Sequence, residues 1–145
     1  MFGRSNDEID RMVAGFRQKA QDLGLQFGQI SKIFNTRLAQ ELSLWAFDQG
    51  KGEQFHFETF KAYLVEEMNL HEKRVLLGLV EKIGLPTGEA EKVLESRRYK
   101  KQVDQDWEEA RRLTITAVPT MIHHTGRLVG AQPYERMIEF ASAIR

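Results

Sequence analysis

The sequence predicts an α+β chain, mostly helical, that closes in a strand–turn–strand–helix unit. Three observations predict it. Apolar residues recur at helical spacing from Ile9 to Leu113, the pattern turns β-branched at Thr116, and Pro119 stands where a strand begins. Proline has no N–H for a sheet ladder, so it is tolerated at a strand's first residue and poorly within a central one.

The elements follow in order. Ser5 and Glu8 form a capping box ahead of Ile9, Met12, Val13, Phe16 and Ala20, a first helix that stops at Gly24. Leu25 to Phe34 fits neither helical nor strand period and reads as a connecting loop. Asn35 is placed to N-cap a second helix carrying Leu38, Leu42, Trp45 and Ala46, with Gly50 and Gly52 as its stop. A third helix carries Phe57, Phe60, Tyr63, Leu64 and Met68 on a broad apolar face, and its stripe of Phe55, Phe57, Phe60 and Tyr63 reads as core. A fourth starts near His71 and carries Val75, Leu76, Leu79, Val80 and Ile83. Gly84 and Pro86 end it, and Thr87 is placed to cap a short helix with Ala90, Val93 and Leu94. Another runs through Tyr99, Val103, Trp107, Ala110 and Leu113. Pro119 then opens a short strand reaching Ile122, Gly126 turns it back into a second strand, and Pro133 opens a last helix.

One hundred and forty-five residues suit a single domain, 1–145. Charged residues at 29% and apolar residues at 41% describe a globular chain, without the roughly 20-residue apolar run of a membrane helix or an apolar signal core. The cytoplasm is the expected compartment. Lysine plus arginine equals aspartate plus glutamate at 21 each, so no overall field attracts nucleic acid or an anionic membrane. The cluster Arg97-Arg98-Tyr99-Lys100-Lys101 reads as a solvated helix face, as do Glu66-Glu67 and Glu108-Glu109.

The chain has no cysteine, which removes disulfides, thiolate nucleophiles and thiolate metal sites from these residues. His123 and His124 are adjacent, and successive strand residues face opposite ways, so they read as exposed turn histidines rather than ligands of one ion. His56 and His71 lack a ligand partner at metal spacing. Ser31, Ser43, Ser96 and Ser142 have neither a nucleophile elbow nor a nearby histidine. Neither a catalytic residue nor a cofactor or metal site is expected.

Several separated pieces together resemble the DsbA-like thioredoxin-fold thiol oxidoreductases. Asn35-Thr36-Arg37-Leu38-Ala39, Trp45-Ala46, Gly50-Lys51-Gly52 and Phe60-Lys61-Ala62-Tyr63 occur in the family's order. Leu94-Glu95-Ser96, the run Trp107 to Leu113, Val118-Pro119-Thr120 and Gly130-Ala131-Gln132-Pro133-Tyr134 complete the set. Within the family it is similar to the cytosolic branch of FrnE and 2-hydroxychromene-2-carboxylate isomerase.

The resemblance implies a thioredoxin-like fold with an all-helical insertion over 3–113 and a closing ββα unit over 114–145. It implies a cis-proline loop that receives a peptide, a role falling to Val118, Pro119 and Thr120. Family members open with a strand, a Cys-x-x-Cys helix and a second strand, none of which precedes Phe2, so the chain reads as a C-terminal part of such a protein. Thr114 and Ala117 stand where the family usually has glycine, and a side chain at Ala117 limits how closely another backbone approaches.

The leading expectation is therefore a DsbA-family disulfide oxidoreductase homologue, redox-inert in these residues, whose partner is a peptide or protein. A non-enzymatic peptide-binding or assembly module is the alternative, and a fragment of a glutathione-dependent isomerase relative the third. Without an N-terminal strand beside it, the edge from Thr120 to His123 is expected to pair with a second copy, giving a homodimer, or to be covered by the N-terminal arm or another polypeptide.

Overall fold

The computed structural model describes residues 6–124 and 126–143. Seven helices and two strands are described: α1 (Asn6–Asp22), α2 (Arg37–Asp48), α3 (Gly52–Leu64), α4 (Lys73–Lys82), α5 (Thr87–Ser96), α6 (Lys100–Arg112), β1 (Thr120–His123), β2 (Gly126–Val129) and α7 (Tyr134–Ser142). The chain divides into two compact units, Met1–Val103 and Asp104–Arg145, with the division inside α6. No helix among the described residues is long and apolar enough to cross a membrane.

The first unit is built on a ring of four helices, in which α2 packs on α3 and α5, and α4 on α3 and α5. Each contributes residues at helical spacing to one core: Leu42, Trp45 and Ala46 from α2, Phe55 and Ala62 from α3, Leu76 and Val80 from α4, and Ala90, Val93 and Leu94 from α5. Trp45 is completely buried, and its indole N–H has no acceptor among the described residues, so the ring serves the core by its volume.

The helix stops at Gly24, Gly50 and Gly84 fall where the sequence places them, with φ of +67°, +70° and +77°. Several other local expectations are corrected. Gly52 is the first residue of α3 rather than part of the stop, and it is buried against the Phe47 ring, which a Cβ there would overlap. Thr36, not Asn35, is the N-cap residue of α2, yet the Asn35 carboxamide oxygen accepts the Arg37 N–H at 2.8 Å and so satisfies one free donor of the first turn. Pro86 takes the cap position of α5 and Thr87 is its first residue, without a side-chain cap bond. Helix α4 starts at Lys73. Ser5 of the expected capping box lies outside the described residues.

Three wider expectations also fail. The aromatic stripe of α3 is not core as a whole: Phe55 is completely buried, whereas Phe57 is 68% and Phe60 50% exposed, and Met68 lies beyond the helix, also exposed. Phe57 follows Phe55 by two residues, about 200° around the helix, so the two rings face opposite sides, and the ring of helices is closed by Phe55 and Ala62, seven residues apart on one face.

The basic cluster is likewise not simply a solvated face. Glu41 on α2 is 2% exposed and receives the Arg97 guanidinium through two bonds, Nε to Oε2 and Nη2 to Oε1, both 2.7 Å. Arg37 Nε adds a third at 2.9 Å, and Arg37 Nη2 donates to the Lys100 carbonyl at 2.8 Å. The Tyr99 hydroxyl donates to Asp48. The junction between α5 and α6 is thereby fastened along α2, and Arg97, at φ +52°, ends α5 in the left-handed conformation usually left to glycine.

Glu67 departs from the expected solvated helix face too. It follows α3 and accepts the Gln29 N–H at 2.7 Å and the Ser31 hydroxyl at 3.2 Å. The Gln29 amide, and Ser31 after it, hold its carboxyl below the ordinary range. These bonds, with Gly28 N–H to the Leu64 carbonyl at 2.7 Å, pin the loop between α1 and α2. Gly28 is required there, since a Cβ would come within 2.7 Å of the Val65 carbonyl oxygen.

In the second unit β1 and β2 pair antiparallel, with Thr120 opposite Val129, Met121 opposite Leu128, Ile122 opposite Arg127 and His123 opposite Gly126. Gly126 is therefore the first paired residue of β2 rather than the turn itself. Pro133 caps α7, at the opening of the last helix as expected. Leu128 is the one buried residue described in this unit.

Candidate functional site

The segment between α6 and β1 is held at both ends. Helix α6 closes by a Schellman arrangement: Ile115 N–H reaches the Ala110 carbonyl and Thr114 N–H the Arg111 carbonyl, each at 2.9 Å. Thr114 takes the left-handed position at φ +52°, where a β-branched residue is costly and glycine is the ordinary choice. Arg127 on β2 offsets this by donating to the Leu113 carbonyl at 3.1 Å and to the Thr114 carbonyl and hydroxyl at 3.3 and 3.1 Å. A cation there also meets the negative end of the α6 dipole.

At the other end the Thr120 hydroxyl donates to the Ala117 carbonyl at 2.6 Å, closing the turn 117–120. Gly130 N–H reaches the Pro119 carbonyl at 2.8 Å, which extends the ladder by one step. Pro119 thus uses the one backbone hydrogen-bonding group it has, and its missing N–H is lost from no strand pair. The Val118–Pro119 peptide is cis.

Between these anchors Val118 is 86% exposed. No described residue is hydrogen-bonded to its N–H or C=O. The loop lines an open groove of about 380 Å³, walled by Trp107, Ala110, Ile115, Ala117 and Val118, with Arg111 also facing it. Of the three residues singled out in the sequence, Val118 and Pro119 form the exposed turn, whereas Thr120 is half-buried and acts as its strut. Arg127, Trp107 and Arg111 were not singled out. An arginine inside a short strand signals nothing locally, since its acceptors lie 13 and 14 residues away.

The histidines differ from expectation. His123 is half-buried in β1, with its ring 4.1 Å from that of Phe140 and Nε2 3.1 Å from the Phe140 carbonyl, so it is a packing residue rather than an exposed turn histidine. His124 is exposed. Among the described residues no group of three or more histidine and carboxylate side chains is placed to hold a metal ion.

A helical unit followed by a strand led by proline, a hairpin partner and a closing helix is an α+β order consistent with the DsbA-like class of thioredoxin-fold proteins. The family model for the DSBA-like thioredoxin domain matches residues 3–142, and the chain belongs to that family. It is also 32% identical over 109 residues to an uncharacterized protein, YwbO, of Bacillus subtilis (strain 168). That match covers 71% of this chain and 53% of YwbO, so the chain spans about half the length of this relative.

Proposed function

We propose that this chain is the substrate-holding part of a DsbA-family thiol–disulfide oxidoreductase, gripping an extended peptide at Val118, Pro119 and Thr120. Disulfide exchange is attack by a thiolate on one sulfur of a disulfide, with the other sulfur leaving as thiolate. None of the 145 residues is a cysteine, so these residues by themselves hold a substrate without exchanging its disulfide. The ordered motifs from Asn35 to Tyr134 favour the FrnE-like branch as its place in the family.

The observation that carries this reading is Val118. Its side chain stands in solvent beside an apolar groove, and its N–H and C=O have no partner among the described residues. A peptide laid along it satisfies both backbone groups and covers the isopropyl group, the combination by which extended chains are captured. The test is to add a disulfide-bonded peptide and weigh the complex. Saturable binding with the peptide returned at unchanged mass is expected; absence of binding, or exchange by the chain alone, would contradict the reading.

A second reading concerns assembly. Among the described residues β1 hydrogen-bonds to β2 only, and Ile122 is exposed. The other edge of Thr120–His123 suits an added strand, which a second copy of the chain supplies. Sedimentation at micromolar concentration then gives a dimer, and a monomer under those conditions rules this reading out.

A further inference from the structure

The groove beside Val118 carries a charge that its walls do not need. In the second unit Arg112 is held by Glu109, with Nε to Oε2 at 2.7 Å and Nη2 to Oε1 at 2.5 Å, and it keeps that carboxyl below the ordinary range. Arg127 is occupied at the end of α6, and Arg136 lies 3.5 Å from Glu139. Arg111 is exposed, lines the groove, and its guanidinium has no ion-pair or hydrogen-bond partner among the described residues. A groove with apolar walls and an exposed planar cation without a protein partner among the described residues is complementary to a ligand that is apolar over most of its contact and anionic at one point.

We propose that the groove selects extended peptides in which a bulky apolar side chain neighbours an aspartate or glutamate. The apolar side chain sits between Trp107 and Val118, and the carboxylate pairs with Arg111. This rests on the peptide-holding reading above and adds to it a preference in sequence. The apolar contact supplies most of the affinity, because an exposed ion pair changes affinity by about 5-fold or less. The pair therefore decides between peptides rather than whether peptides bind.

The experiment is calorimetric titration of three blocked hexapeptides, Gly-Ser-Leu-X-Ser-Gly with X as Asp, Asn or Lys, into the chain and into Arg111→Glu. The Asp peptide is expected to bind about 5-fold more tightly than the Lys peptide at low salt. Arg111→Glu is expected to reverse that order, and 0.5 M NaCl to flatten it. Arg111 is exposed, so the variant folds, as its circular dichroism will show. Equal binding of the three peptides, or an order unchanged in Arg111→Glu, overturns the charge preference while leaving peptide holding intact. Failure of all three to bind overturns both.

Discussion

Replacing Glu41 by alanine is expected to lower the stability of the helical unit by about 3 kcal/mol. Removing one member of a buried ionic group costs about 3 to 5 kcal/mol because the remaining charges lose their partner. The lower end applies here, since the side chains of Arg97 and Arg37 are 39% and 18% exposed and water can partly replace the carboxylate. The Arg97 bonds hold the Glu41 carboxyl below the 4.5 of an ordinary glutamate, with Arg37 assisting and burial opposing.

The pH dependence follows from that direction. A carboxyl with a depressed folded-state pKa stabilises fully above its unfolded value and loses that contribution as the pH falls through the depressed one. Urea unfolding of the chain and of Glu41→Gln, followed by helical circular dichroism, should therefore differ most near neutral pH and converge in acid. A difference that stays constant down to pH 3 would contradict the account of this cluster.

The second large effect separates two neighbouring phenylalanines. Phe55→Ala is expected to cost about 3 to 5 kcal/mol, the range for truncating a buried aromatic ring. Phe57→Ala, at a side chain 68% exposed, should fall within about 0.5 kcal/mol of the parent. Equal costs in the same urea assay would mean that the third helix is turned differently from the arrangement described.

These residues also mark what could be read from the sequence. Helix ends at Gly24, Gly50 and Gly84 were legible because glycine's freedom at positive φ is a local property. Arg97 and Thr114 end helices in the same conformation without that signal, one fastened by Glu41 and the other by Arg127, both remote in sequence. Glu41 was invisible because a glutamate among helix formers reads as surface until a partner 56 residues away is known. Phe57 and Phe60 share the spacing of core residues, and only the closure of the four-helix ring decides which aromatic faces inward. At the candidate site Pro119 was legible as a strand opening, because a missing N–H limits where a residue can sit. The groove was not, since it needs the end of α6 folded back beside Val118.

The central claim, that the turn at Val118 holds an extended peptide, is tested most directly by titrating one blocked apolar peptide into the chain and into Val118→Asp. Burying a valine side chain is worth at least about 1.5 kcal/mol, and placing a carboxylate there adds a desolvation cost. The account predicts saturable binding to the parent chain and affinity at least about 10-fold weaker in Val118→Asp, with unchanged circular dichroism. Equal affinity for the two proteins would contradict it.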